Sequence, residues 1–431
     1  MTIPPASAPP PSLLRNRAYL LLMSGKTTQI IGAGMGQFAA PLVAFSLTHS
    51  VVLAGVIAAV GEAGSLLATL PAGVMADRVD RRRLLIGSAL VGTGLWAFAA
   101  IAGFAGFLTG WQLAAVLFGV SIATALFNAT ETGALRSVVA PNQLAQAMAA
   151  VQGRSAVAAL VASPVGGVLY ALGRGVPFAA AALGHAVVVA CTSLVHEPLN
   201  GDLARARATH PVEQLKEGIR FVAAMPLLRT SLWLIMLINL TINGALIAVN
   251  LQLVQRHTVP LLIGLVDTAA GAAMLVGAVF AGPLMKRVAA GRLTIVGLGI
   301  LAVAFLGMAV AHSYAGYLGF VALGCVLLPT VNSGVLGYIA AIVPDELQGR
   351  VTSVTSLGYL AVAPIAPVIA GALLAQLGIV ATLWLFAAAL AAGVVGVAFV
   401  KEVRHIGTPD TWSADAIAWP PAASASAPGR A

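Results

Sequence analysis

Runs of about twenty apolar residues recur along this chain, each closed by a glycine, a proline or a cluster of charges. Crossing about 30 Å of hydrocarbon takes roughly twenty such residues as a helix. Inside lipid, only helices and closed barrels satisfy every backbone polar group. Twelve stretches qualify as helices: 18–46, 51–76, 84–107, 109–133, 143–170, 175–195, 230–254, 261–285, 292–311, 314–341, 349–376 and 378–400. With 59% hydrophobic and only 9% charged residues among 431, and a mean hydropathy of +0.96, the chain has too little polar surface for a soluble globule. The expected fold is an all-α membrane protein of twelve transmembrane helices.

The net charge of +9 would suggest nucleic acid as the partner of a soluble protein. Here the basic residues follow topology instead. With the amino terminus in the cytoplasm, Arg15, Arg17, the cluster from Arg78 to Arg83, Arg136, Arg205, Arg207, Lys216, Arg220, Arg229, Lys286, Arg287, Arg292, Arg350, Lys401 and Arg404 all lie inside. Only Arg174 and Arg256 fall outside. That asymmetry is the positive-inside pattern, and it places both termini in the cytoplasm of a multi-pass protein of the cell's inner (plasma) membrane. The first 17 residues show no cleavable signal pattern and read, like 405–431, as a cytoplasmic tail. Cys191 and Cys325 fall within spans, so neither a disulfide nor a metal framework is indicated. No cofactor is called for.

Two segments look like copies. Gly73-Val74-Met75-Ala76-Asp77-Arg78-Val79-Asp80-Arg81-Arg82-Arg83 has a weaker counterpart in Gly282-Pro283-Leu284-Met285-Lys286-Arg287, 209 residues on. Pro141-Asn142-Gln143-Leu144 matches Pro344-Asp345-Glu346-Leu347 at an offset of 203, which Pro164 and Pro367 keep. The repeat divides the chain into two pseudo-symmetric six-helix bundles, 18–196 and 230–404. Transporters are commonly built from such repeats, with the substrate site near the midplane. The join, 197–229, is the most polar stretch. In it Val212, Leu215, Ile219 and Val222 recur at helical spacing, which predicts an amphipathic helix on the cytoplasmic surface that tethers the bundles.

The first loop resembles the signature of the major facilitator superfamily: glycine, three residues, Asp-Arg, a spacer, then a basic pair. The match lies at Gly73, Asp77, Arg78, Arg81 and Arg82, with Asp80 where the family usually has glycine. Within that family the chain is most similar to the exporters that include macrolide efflux proteins and enterobactin-type siderophore exporters. This narrower resemblance rests on the basic loop, on Gly218-Ile219-Arg220-Phe221 to Pro226-Leu227, and on Pro344-Asp345-Glu346-Leu347-Gln348-Gly349-Arg350. The antiporter signature of span five appears in altered form, as Ser163-Pro164-Val165-Gly166-Gly167.

The resemblance implies a gate. Asp77 would meet the amino-terminal end of span eleven at Gly349 and Arg350, where unpaired N–H groups and the helix dipole favour an anion. Glu131, at the end of span four, would be the counter-charge of Arg78 or Arg81. Lys286 replaces the aspartate in the second copy, which makes that copy the weaker lock. The alternative is a solvated basic turn serving topology alone.

Charged residues deep in spans mark pathways or relays. Glu62 lies about 16 Å from either face of span two. It shares one face, within about 40°, with Gly55, Thr69 and Gly73, and it either faces the central cavity or pairs with Arg154 or Lys26. Arg154 in span five either pairs with Glu62 or binds an anionic part of the substrate. Lys26 either snorkels to the cytoplasmic interface or lines the site. Asp267, about 9 Å below the outer face in span eight, is the second carboxylate that could carry a coupling proton; the alternative is a hydrated vestibule residue. Asn239, Asn243 and Asn250 stack on one face of span seven, and Gln37, Asn128 and Asn332 add polar groups in spans one, four and ten. Such amides line a cavity or join helices. His185, Trp233 and Trp384 read as packing or interface residues.

A secondary active exporter of a small amphipathic compound, a drug, natural product or siderophore, follows from these features, with protons as the coupling ion and the monomer as the working unit. Import by symport or facilitated diffusion is the alternative. A sensor of the same fold that moves nothing is more remote. An enzyme such as a lipid-linked transferase would need an acidic pair or histidine cluster at a membrane face, and a P-loop for direct ATP use is missing.

Overall fold

The computed structural model describes residues 13–200, 211–311, 313–399, 404 and 406–415. Its elements are α1 (Arg17–Thr48), α2 (Val51–Arg78), α3 (Arg81–Ala105), α4 (Gly110–Val138), α5 (Leu144–Leu172), α6 (Val176–Ser193), α7 (Pro211–Ala224), α8 (Pro226–Gln255), α9 (Pro260–Arg287), α10 (Ala290–Ala311), α11 (Tyr314–Cys325), α12 (Leu328–Ile342), α13 (Asp345–Val362) and α14 (Ile365–Phe399). No strand occurs among the described residues.

Helix starts are set by short polar side chains that take up free N–H groups. Asn16 accepts from the Tyr19 N–H, Ser50 from Leu53, Asp80 from Arg83, and Ser313 from Gly316. Thr109 and Gln112 close a reciprocal capping box at α4. His49 (φ 52°), the cap of α1, and His257 (φ 55°), two residues beyond α8, both lie in the left-handed region.

Among the described residues, eleven stretches are long and apolar enough to cross a membrane. Two of them are composite: α11 and α12 together make Tyr314–Ile342, and the 50-residue Leu347–Gly396 turns at Gly378, whose φ of 73° is open to glycine. Counting that turn as a break gives the twelve-helix arrangement.

The chain forms two compact units: residues 1–209 with 250–268, and 210–249 with 269–431. In the first, α1 packs on α5 and α6, α2 on α4, and α3 on α4 and α6. Lipid tails are as apolar as leucine, so close backbone approach has to supply the packing energy. A Cβ on Gly32 would lie 2.7 Å from the Ala180 carbonyl oxygen, and one on Gly184 2.7 Å from that of Thr28; any larger residue would push α1 and α6 apart. The start of α9, within 250–268, rests on α5: Thr268 Oγ1 donates to the Leu160 carbonyl at 3.1 Å, and Gly264 leaves no room for a Cβ beside Ser163 and Pro164.

In the second unit α10 packs against α11, α12 and α14, and α7 against α13. The expected amphipathic helix forms, but its buried face is turned. Gly218, Phe221 and Val222 are buried while Ile219 is half exposed. Gly218 sets this face, because the backbone of Arg350 lies where its Cβ would be. The Val212 side chain lies outside the described residues.

Candidate functional site

Polar side chains of α1, α4, α5 and α6 converge inside the first unit. Lys26, 4% exposed, donates from Nζ to Asn128 Oδ1 at 2.7 Å and lies 4.3 Å above the Phe127 ring centroid. Asn128 itself is exposed on α4. One turn along α4, the Glu131 carboxylate accepts from Arg154 Nη2 at 2.6 Å, and Arg154 Nη1 lies 3.3 Å from the Met23 sulfur. The pair is shielded, with side chains 6% and 15% exposed. Among the described residues Arg154 Nε is buried without a partner.

Three sequence expectations change here. Glu131 is the counter-charge of Arg154, not of Arg78 or Arg81. Its position, seven residues from the end of α4, reaches inward to α5. Arg154 therefore does not pair with Glu62, which is exposed on α2 and has no hydrogen-bond partner among the described residues. Lys26 does not snorkel, because its amine is buried against α4 rather than extended toward the helix end.

Two residues outside the expected site complete the cluster. Gln29 lies one turn beyond Lys26 on the same face of α1, and its Nε2 is 3.1 Å from His185 Nε2. His185 Nδ1 lies 2.9 Å from the Ala181 carbonyl oxygen, which requires Nδ1 to carry the proton and leaves Nε2 to accept from Gln29. His185 is thus neutral in this arrangement. The spacing of three residues from Lys26 to Gln29 was the available signal for the latter.

Asp267 occupies a second polar site in the same unit. Its Oδ1 accepts from Asn250 Nδ2 at 3.2 Å, with the Ser163 hydroxyl of α5 beside it. Both neighbours are uncharged. The stripe on α8 splits: Asn250 serves Asp267, whereas Asn239 and Asn243 donate to the carbonyls of Ile235 and Asn239 in their own helix. Gln37 and Asn332 are exposed on α1 and α12.

The basic loop is built as a brace. Arg81 Nη1 donates to the carbonyls of Gly133 (3.2 Å) and Leu199 (3.1 Å), and its backbone N–H donates to Asn200 Oδ1 at 2.9 Å. Arg82 donates to the carbonyl of Val195 and, at 3.3 Å, to that of Glu197. Asp80 explains the departure from the family's glycine: it caps α3 and accepts from Asn200 Nδ2 at 2.7 Å. The Asn200 amide, then the Arg83 N–H, hold its carboxyl below the usual carboxylate range. Asp77 and Arg78 are exposed at the end of α2, and Gly73 is half-buried.

In the second unit Gly349 is exposed near the start of α13, and Arg350 pairs with Glu217 of α7. The segment expected as a tail is folded over 406–415. The carbonyls of Gly407 and Ile406 accept the first N–H groups of α10, from Ala290 and Gly291, both at 3.1 Å. Trp412 packs edge-on against Tyr338 at 5.8 Å, and the Tyr338 hydroxyl donates to Asp415 Oδ2 at 3.0 Å. Among the described residues no cluster of histidine, cysteine and carboxylates could hold a metal ion.

The family model described as Major Facilitator Superfamily matches residues 22–258 and 232–425, nearly the whole chain. The chain belongs to the major facilitator superfamily. Solved superfamily members share its fold at low identity. A nucleoside transporter, NupG, superposes with a TM-score of 0.73 at 10% identity, covering 89% of this chain and 99% of that one. A transporter of the POT family in complex with 5-aminolevulinic acid gives 0.70 at 12%, over 89% and 96%. A bacterial homologue of the iron transporter ferroportin, in an inward-facing state, gives 0.67 at 18%, over 91% and 99%. No curated protein matches in sequence. The chain is a multi-pass membrane transporter of the superfamily type, and the exporter branch suggested by its linker and loop motifs is a finer assignment than these matches carry.

Proposed function

We propose that this superfamily member is a proton-coupled exporter that moves a small amphipathic compound out of the cell by alternating access. The observation that carries the coupling is the setting of Asp267, a carboxylate within a membrane helix whose neighbours, Asn250 and Ser163, are neutral. A carboxylate fixed by a cation stays ionised, whereas one held by amide and hydroxyl groups can gain and lose a proton during the cycle. Glu62, also without a cation partner among the described residues, is the other coupling candidate. Export follows the resemblance of the basic loop, the linker and the start of span eleven to the exporter branch. The substrate path takes in Lys26, Gln37, Asn128, Arg154, Asn239, Asn243 and Asn332. Gly73, Asp77, Arg78, Arg81 and Arg82 in the first unit and Gly349 and Arg350 in the second are the gating residues that the family resemblance implies. The protein works as a monomer in the inner membrane with both termini in the cytoplasm.

Import by symport is the second reading, since a D-xylose–proton symporter shares the fold with a TM-score of 0.67 at 13% identity. Everted membrane vesicles separate the two. Energised by an inwardly acidic gradient, they should accumulate fluorescent amphipathic compounds and lose them when a protonophore is added. Accumulation only in right-side-out vesicles would reverse the direction.

A further inference from the structure

The cluster on α1, α4 and α5 contains more positive than negative charge. Lys26 and Arg154 are cations, Glu131 is the one carboxylate paired among them, and His185 is neutral by its hydrogen bonds. Arg154 is matched by Glu131, so the excess charge belongs to Lys26. Its hydrogen bond goes to the neutral Asn128 amide oxygen, with the Phe127 ring beside it, and the one carboxylate within electrostatic reach, Glu131, is already bound to Arg154. A buried cation without an anion of its own is costly. The second sign of an unfilled site is independent of charge: Arg154 Nε, in a side chain 6% exposed, points a donor at no acceptor. Asn128 is exposed and yet holds the buried amine, so it links the cluster to the surface of α4.

We propose that Lys26, Asn128 and Arg154 form a subsite for an anionic group, a carboxylate foremost, so that the transported compounds are amphipathic anions or zwitterions rather than lipophilic cations. This rests on the reading that the compound binds within the helices. The carboxylate replaces the Asn128 oxygen on Lys26 and takes up the spare donor of Arg154, forming charge-assisted bonds in place of neutral ones. Glu131 competes for the same guanidinium and so limits affinity, which lets a tightly held anion be released.

Benzoate and benzamide have nearly the same shape and differ in charge, which makes them the probes. The purified full chain is unfolded thermally in detergent against each probe at constant ionic strength. Benzoate should raise the wild-type midpoint saturably and benzamide should not. Lys26→Met should bind benzoate about tenfold more weakly or worse, the equivalent of one lost charge-assisted hydrogen bond. Lys26→Arg should keep the response. Glu131→Gln, which removes the competing carboxylate, should bind benzoate more tightly. Asn128→Asp, made at an exposed position that tolerates folding, supplies the anion from within; it should be more stable than wild type without ligand and blind to benzoate. Equal effects of the two probes, no effect of either, a normal response in Lys26→Met or Asn128→Asp, or weaker binding by Glu131→Gln would each overturn the subsite. Gradient-driven accumulation in everted vesicles is read separately: its absence removes the exporter reading and leaves the benzoate result standing.

Discussion

Replacing Glu131 by glutamine strips the counter-charge from a guanidinium that is 6% exposed and held at 2.6 Å. With Lys26 supported only by Asn128 and Phe127, the variant leaves two cations together in an apolar bundle. Breaking a buried pair from one side costs about 3–5 kcal/mol. Glu131 keeps 15% exposure, and glutamine retains an acceptor oxygen, so the lower end, about 3 kcal/mol, applies. For a unit of this size that corresponds to a fall of about 6–12 °C in the unfolding midpoint. Removing both charges, as Glu131→Gln with Arg154→Met, should recover most of the loss, because an apolar replacement of a whole pair is close to neutral. The assay is thermal unfolding of the purified protein at one fixed scan rate, since unfolding of such proteins is often irreversible. A Glu131→Gln midpoint equal to wild type, or a double variant less stable than either single one, would refute the pair as a buried, coupled unit.

Asp80 has its carboxyl held low in the folded chain, so its contribution is complete at neutral pH and is lost as pH falls through that lowered value. Asp80→Ala should therefore cost about 1 kcal/mol at neutral pH, as for a lost cap, and make the acid-side decline in unfolding midpoint shallower; an unchanged pH profile would contradict this. Trp412→Ala should speed hydrogen exchange at Ala290 and Gly291, whose N–H groups the 406–415 segment covers, while α1 to α6 exchange as before. Asp77→Asn should slow transport at unchanged membrane abundance, and Lys286→Ala should do much less. Equal effects at the two positions would remove the asymmetry between the copied loops.

The fold was legible because lipid leaves the backbone few options. Twelve apolar runs and a copied basic loop were enough to expect two six-helix bundles, and Gly378 marks the break between the last two spans where the sequence expectation began span twelve. The basic motif stood out in the sequence, but the partners of its side chains did not. Arg81 and Arg82 brace carbonyls more than fifty residues away, and linear spacing is silent about such partners. For the same reason Glu131 was assigned to the loop nearest in depth. The helix it meets depends on which face of α4 turns inward, and α4 is apolar on nearly every face. Lys26, Asn128 and Arg154 were singled out because charge and amides stand out in such helices. Gln29 and His185 were not, since either alone reads as ordinary packing. The docked 406–415 segment is a compact turn around Trp412, too short for a periodic signal.

The central claim is that a membrane carboxylate couples proton entry to export, and pH-gradient-driven flux in proteoliposomes tests it most directly. With the wild-type protein, a fluorescent amphipathic anion should accumulate against its own gradient on the acidic side of the membrane, as protons leave that side in exchange. Asp267→Asn should abolish that accumulation while exchange of the same compound down its gradient continues, because the Lys26 and Arg154 cluster is untouched; Glu62→Gln, tested in parallel, identifies the residue if Asp267 is not the carrier. Full concentrative transport in both variants would contradict the account.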